Sequence, residues 1–461
     1  MSAFDDENGK ECQFNNFLAW ELIKSGNSDQ LREMLIKGEI SDINACIRRD
    51  DQPTTLLMTA SMYGRYDCVK LLLEYGADKA ILCERYIHLQ KCFVRSSALF
   101  LASCMGHIDI VKLLLEHGAE LNSSNCSPLC GACLAGKLEL TKFLIDLGAE
   151  VNSPSVLNSH STTTPIIVAA RNGNIELIEY LIEKGADVHY KQSDQNALIE
   201  ACSGDHLLVV EVLLHHGADI NIHLQSNKTT CMHQACSNDY TEMVEFLLEH
   251  GADVNAVDQY HTTPFAIAFD KRNNELITIL LEHGADPNCG VIESSNGWTP
   301  LMNAVYDNDT EMMRLLLQYD ADINSGIQTE EGGINKYIKV WSPLLIACEH
   351  GCIDAAKLLI EHGADVNQIF NNYNQNDTTL ICLFRAYSWT PLGLDTVGDE
   401  GEGYIDLTAD QLTCLKLLLE HGADVTVTNS IRNTVFDYVK DRPGIIKLLN
   451  EYVPYTEPIL K

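Results

Sequence analysis

The stretch TPIIVAARNGNIELIEYLIEKGAD, residues 164–187, holds two short helices and the turns that delimit them. Thr164 ahead of Pro165 suits a helix start: a hydroxyl accepts from an orphan backbone donor, and proline at the first helical position gives up no bond. Ile166 to Ala170 then continues a short helix whose small residues permit close packing. The polar run Arg171-Asn172-Gly173-Asn174 interrupts it. A second helix follows, with Ile178, Leu181 and Ile182 at i, i+3 and i+4. Gly185 lies just beyond it, where a left-handed residue ends a helix at no steric cost.

Working outward, the closing block recurs at Gly76, Gly118, Gly148, Gly185, Gly217, Gly251, Gly284, Gly363 and Gly422, with Asp320 in the glycine place of a tenth copy. Successive spacings are 42, 30, 37, 32, 34, 33, 36, 43 and 59 residues, around a unit of about 33. The opening block recurs as Thr263-Pro264-Phe265, Thr299-Pro300-Leu301 and Ser342-Pro343-Leu344, with degenerate forms at Ser97-Ala98-Leu99, Ser127-Pro128-Leu129 and Thr230-Cys231-Met232-His233. Together the blocks resemble the ankyrin repeat, whose signature is Thr-Pro-Leu-His-x-Ala followed by Gly-Ala-Asp. The resemblance runs from about Asn16 to Tyr452. It implies an all-α repeat fold, an ankyrin solenoid of stacked helix-turn-helix units with β-hairpin fingers, and a protein-binding role on a concave face. It also implies that His233 hydrogen-bonds backbone to tie units together. Finger asparagines such as Asn152, Asn221, Asn255 and Asn367 become candidates for an asparaginyl hydroxylase.

The expected organisation is one array over 1–461. Residues 14–45 form an amino-terminal cap, with helices at Phe17 to Lys24 and Asp29 to Lys37. About ten repeats fill 46–430, and 431–453 form a carboxyl-terminal cap before a short tail, 454–461. Terminal units differ because each has one face without a neighbour. The long spacings place extended fingers at 79–96 and 323–341 and a helix–helix loop insertion at 387–407, which carries the acidic run Asp399-Glu400-Gly401-Glu402.

Composition limits function. Hydrophobic residues make up 46% of the chain, which argues for folded structure. The formal charge of -33, from 32 basic and 65 acidic residues, repels phosphates and anionic headgroups and favours cationic segments. Keeping a long array soluble is the plainer use of that charge. Nucleic acid and membrane are therefore not expected partners. The seventeen cysteines are scattered, and many sit in apolar helical runs where cysteine acts as a small hydrophobe. No window approaches the roughly 18 apolar residues of a membrane span. A reduced, monomeric, cytoplasmic protein is expected, with a nuclear or host-cytosolic setting as alternatives.

No phosphate-binding glycine loop, His-Glu-x-x-His pair or nucleophile elbow is present. Asp395, Asp399, Glu400, Glu402 and Asp406 miss the EF-hand spacing. Cys126, Cys130 and Cys133, with His107 one unit earlier, are the nearest approach to a zinc set, but a first helix normally packs apolar residues there. His233 and Cys236 are read as structural. Neither a cofactor nor a metal is expected, and the chain is read as not an enzyme. The histidines before glycines (His117, His216, His250, His283, His362 and His421) are read as favouring the negative helix end.

The variable positions of such a fold are finger tips, the residue before Thr-Pro, and outer first-helix positions. From about 223 to 375 these carry Tyr260, Trp298, Tyr306, Trp341 and Tyr373 among Asp239, Asp258, Asp270, Glu293, Asp307, Glu330 and Glu349, with Tyr337 in the long finger. Aromatic anchors among carboxylates suit a partner protein with a basic or mixed basic and apolar segment. The basic finger with Arg85, Tyr86, Lys91, Phe93 and Arg95 is a second candidate. The leading reading is a scaffold or adaptor. A ubiquitin-ligase substrate receptor, or a host-directed effector of a microbe or virus, stays open.

Overall fold

The computed structural model describes residues 7–49, 52–87, 92–123, 126–158, 161–190, 195–290, 298–331, 337–370, 376–387 and 407–453. The chain divides into two units, Met1–Asp253 and Val254–Lys461.

In the first unit, helix pairs follow one another from Glu7–Ser25 with Ser28–Ile36 to Cys231–Ser237 with Thr241–Glu249. The first helix reaches back to Glu7, well before the expected Phe17. Antiparallel hairpins join successive pairs: Ile47–Arg49 with Gln52–Thr54, Cys83–Ile87 with Cys92–Ser96, and Ser155–Asn158 with Ser161–Thr163. In the second unit the pairs run from Pro264–Asp270 with Asn274–Glu282 to Val435–Tyr438 with Pro443–Asn450. Its hairpins are Ile327–Glu331 with Tyr337–Trp341, and Ile369–Phe370 with Asp377–Thr378. The insertion at 388–406 and the tail at 454–461 lie outside the described residues.

The two helices of a pair are built differently. In Pro165–Arg171 every residue from Pro165 to Ala170 is buried, so the helix shows no polar face. It is sandwiched between neighbours, and small residues set how closely they approach. Gly131 in Pro128–Leu134 is the extreme case: a Cβ there would stand 3.0 Å from the Phe100 carbonyl oxygen. The second helix, Ile175–Glu183, buries Leu177, Ile178 and Leu181 and exposes Glu176, Glu179 and Glu183. The buried stripe thus includes Leu177, while Ile182 is only half-buried, one position from the sequence expectation.

Helix ends are closed as the blocks require, with one exception. Thr263, Thr299, Ser342 and Ser127 each accept from the amide three residues on. Thr164 does not: its hydroxyl is buried without a hydrogen bond among the described residues. Gly185 has φ of 89° and Asp320 in the same role has φ of 62°. The histidines before the glycines do more than face a dipole. Nδ1 of His117, His216, His250, His283, His362 and His421 each donates to the carbonyl four residues earlier, at 2.8–2.9 Å. Each of those carbonyls also accepts the histidine's own backbone amide, so the ring supplies a second hydrogen bond at the helix end.

A ladder of asparagines ties repeats together. Asn152 Nδ2 donates to the Gly185 carbonyl at 3.0 Å, and its Oδ1 accepts from the Asp187 amide at 2.8 Å. Asn122 bonds Gly148 and Glu150 in the same way, and Asn221 bonds Gly251 and Asp253. In the second unit Asn255, Asn288, Asn324 and Asn367 accept from Asp286, Asp322, Asp365 and Asp424. The last rung joins residues 57 apart in sequence, so the inserted residues leave the stacking undisturbed. Ala80, His189 and Thr426 take the asparagine place in three repeats, where the ladder has no asparagine to extend it.

Candidate partner-binding surface

In the second unit the residue before two of the Thr/Ser-Pro starts, Thr299-Pro300 and Ser342-Pro343, is a tryptophan, and it turns inward. Trp298 and Trp341 are 8% and 5% exposed. Their ring centroids are 5.0 Å apart at 63°, an edge-to-face pair worth about 0.5–1.5 kcal/mol beyond its area. Trp298 also meets Tyr306 edge-on at 5.4 Å, and Tyr306 meets His350 at 4.8 Å and 80°. Tyr306 ends the helix Pro300–Tyr306 and is 50% exposed. The tryptophans therefore form a packed base that holds Tyr306 at the surface.

Beside Tyr306 runs a groove of about 450 Å³ between the turns of adjacent repeats. Its walls carry Asp270, Asp307 and Asp309 around Tyr306, with Arg272 as the single basic residue in its lining. Arg272 Nη2 lies 2.8 Å from Asp307 Oδ2, a pair exposed on both sides and so worth little to stability. Asp309 Oδ1 accepts from the Met312 amide, capping the second helix. Asp270 is exposed at the end of its helix, with no ion pair among the described residues. The groove thus keeps one uncommitted carboxylate, two partly engaged ones and an aromatic face. Arg272 and Asp309 were not singled out from sequence, since each lies in a helix–helix turn without a repeat signature.

The other sequence candidates are dispersed. Tyr260 is 68% exposed on the preceding finger, whose tip is fixed by Asp258 Oδ1 accepting from the amides of Tyr260 and Thr262, both at 2.8 Å. That makes Asp258 a turn-former. Glu349 is half-buried in Pro343–His350, and its carbonyl accepts from Gln411 Nε2. Asp239 is exposed in the first unit at φ of 60°. Glu330 and Tyr337 sit in the long hairpin opposite Ile338 and Glu331, but their side chains lie outside the described residues. Glu293 and Tyr373 lie outside them altogether. In the basic finger Arg85 pairs with Val94, Tyr86 with Phe93 and Glu84 with Arg95. The side chains of residues 84–95, and Lys91 entirely, are outside the described residues.

The cysteine cluster is a packing feature. Cys126, Cys130 and Cys133 are buried, and burial pushes the Cys133 thiol up to about 12 and raises those of Cys104 and Cys130 as well. His107 faces elsewhere, its Nε2 donating to the Met62 carbonyl at 3.3 Å. Among the described residues no group of three His, Cys, Asp or Glu is placed to hold a metal ion. His233 is buried, and its Nδ1 receives the amide and hydroxyl of Thr230. Among the described residues no helix is long and apolar enough to cross a membrane.

Comparison with known proteins agrees with this architecture. The family described as ankyrin repeats (3 copies) matches residues 79–155, 153–224, 221–291 and 289–370, and a single ankyrin repeat matches 54–83. Among solved structures, the human ASB11 ankyrin repeat domain is 26% identical over 49% of this chain and 99% of that chain, with a TM-score of 0.40. None of the curated proteins matches the chain. Ankyrin repeats are generally protein–protein interaction modules, and their fold is typically non-catalytic. With matches spanning well over half its length, this chain belongs to the ankyrin-repeat family, each of its two units an all-α repeat stack.

Proposed function

We propose that this protein is a non-catalytic scaffold or adaptor, and that the Tyr306 groove takes a partner segment combining Lys or Arg with apolar residues. The observation that carries the reading is the half-exposed Tyr306 ring, braced by Trp298 and His350 and flanked by the open carboxylate of Asp270. A braced ring loses little entropy on binding, and an aromatic face beside carboxylates attracts a cation. The overall charge of -33 speeds the approach of a basic partner and makes it sensitive to salt. Trp298 and Trp341 serve as the base of this surface; their burial makes them poor first targets for substitution.

The test combines Tyr306→Ala with Asp270→Asn and compares partner capture with that by the unaltered protein. Asp270→Asn is an exposed change expected to leave thermal stability nearly unchanged. Tyr306→Ala gives up the edge contacts with Trp298 and His350 and is expected to cost about 1–3 kcal/mol, so capture is compared at a temperature where both proteins are folded. Loss of an aromatic anchor worth about 2 kcal/mol weakens binding roughly thirtyfold. Capture at undiminished affinity removes the groove from the interface.

A further inference from the structure

Of the fifteen cysteines whose surroundings are described, only Cys46 is exposed. It stands immediately before the strand Ile47–Arg49, and Cys83 opens the strand Cys83–Ile87 of the next finger. Their sulfurs are 3.3 Å apart. Cys83 is buried, at 6% exposure. The two loops that carry them are held together independently, since the Asp78 amide donates to Asn44 Oδ1 at 2.8 Å.

We infer that Cys46 and Cys83 form a thiol–disulfide exchange site that takes a small-molecule disulfide such as oxidised glutathione and becomes a bond between two fingers. The Cys46 thiolate attacks one sulfur of the small disulfide. A Cys46–glutathione mixed disulfide forms, and one glutathione leaves as its thiolate. Cys83, having lost its proton to solvent, then attacks Cys46 Sγ and expels the second glutathione. Two protein thiols are oxidised and one glutathione disulfide is reduced to two thiols. Joining the sulfurs requires a closing movement of roughly 1.3 Å, from 3.3 Å to a bond of about 2.0 Å. Side-chain rotation at the exposed Cys46 supplies such a movement.

The arrangement differs from the other close cysteines. Cys348 with Cys414, and Cys202 with Cys231, lie inside the core, where no small disulfide reaches them. At the finger bases one thiol is open to attack and the second waits behind it, the order that exchange needs. Closing the bond pins the finger Ile47–Thr54 to the finger Cys83–Ser96, removing freedom of one relative to the other.

The experiment equilibrates the full chain in glutathione buffers of increasing oxidised fraction, blocks free thiols with an alkylating reagent, and maps peptides by mass spectrometry. The expected result is loss of two alkylatable thiols and a peptide joining Cys46 to Cys83, with a raised melting temperature that reductant reverses. In Cys46→Ser, an exposed change that preserves folding, Cys83 stays alkylatable after denaturation and the thermal shift disappears. In Cys83→Ser, Cys46 is trapped as the glutathione adduct. The proposal is overturned if Cys46 stops at the glutathione adduct in the unaltered protein, if it pairs with another cysteine, or if both thiols stay reduced in fully oxidised glutathione.

Discussion

Asn152→Ala removes a rung of the asparagine ladder and tests whether the rungs contribute to stacking. The side chain makes two hydrogen bonds to the next repeat, to the Gly185 carbonyl at 3.0 Å and from the Asp187 amide at 2.8 Å. A typical internal hydrogen bond contributes about 0.5–1.5 kcal/mol net. Both bonds here are exposed, so water replaces them in part and the lower half of the range applies. The expected loss is about 1–2 kcal/mol. Asn152→Asp keeps the acceptor and loses the donor, so about half that loss is expected. The converse variant is His189→Asn, which supplies an asparagine where the ladder is interrupted and is expected to gain about 1 kcal/mol. Urea unfolding followed by circular dichroism reads the sum, and amide exchange at Asp187 reads the rung itself. Because repeat stability is a sum of local and nearest-neighbour contributions, the exchange change is expected to centre on this repeat. If the alanine variant loses less than about 0.3 kcal/mol, or if alanine and aspartate variants coincide, the ladder is incidental to stability.

Other positions offer independent tests. Thr164→Val replaces a buried hydroxyl that has no hydrogen bond among the described residues, so stability is expected to hold or rise, whereas Thr263→Val loses a cap worth about 1 kcal/mol; equal losses in urea midpoints contradict this. Asp320→Gly relieves a side chain held at φ of 62° and is expected to stabilise by about 0.5–1 kcal/mol; a lower melting temperature refutes it. The Thr434 amide, followed by Lys440, holds the Asp437 carboxyl below the usual carboxylate range. Its folded pKa lies below its unfolded one, so its stabilisation is complete above the ordinary range and lost as pH falls through the folded value. The difference in urea midpoint between the unaltered protein and Asp437→Ala is therefore expected to shrink below about pH 4; a constant difference contradicts the assignment.

Fold class was legible because it depends on strong local chemistry. Gly185 past a helix, proline at a helix start and apolar residues three and four apart each permit few alternatives, and repetition multiplied them. Single-residue details were less legible for physical reasons. The buried stripe of Ile175–Glu183 follows Leu177 because the preceding helix, and not the residue's own period, decides which side is covered. The asparagine ladder depends on distances between repeats, which no local pattern reveals, and the histidine ring bonds depend on the rotamer each ring takes against the carbonyl four residues earlier. Among candidate binding residues, type did not disclose exposure. Trp298 and Trp341 look like anchors by composition, yet they pack on each other, while Tyr306 and Asp270 remain at the surface. The hairpin role of Asp258 was hidden for a similar reason, since an exposed carboxylate and a turn-forming one read alike.

The most direct test of the proposed binding role places a photo-crosslinking phenylalanine analogue at position 306, with a matched probe at the solvent-facing Glu179 of the first unit. After irradiation in lysate, the position-306 probe is expected to join a protein through a segment rich in Lys or Arg. The yield is expected to fall as salt rises and to vanish with Asp270→Asn. Equal labelling from both probes, or cross-links to acidic segments unaffected by salt, contradicts the claim that this groove is the partner site.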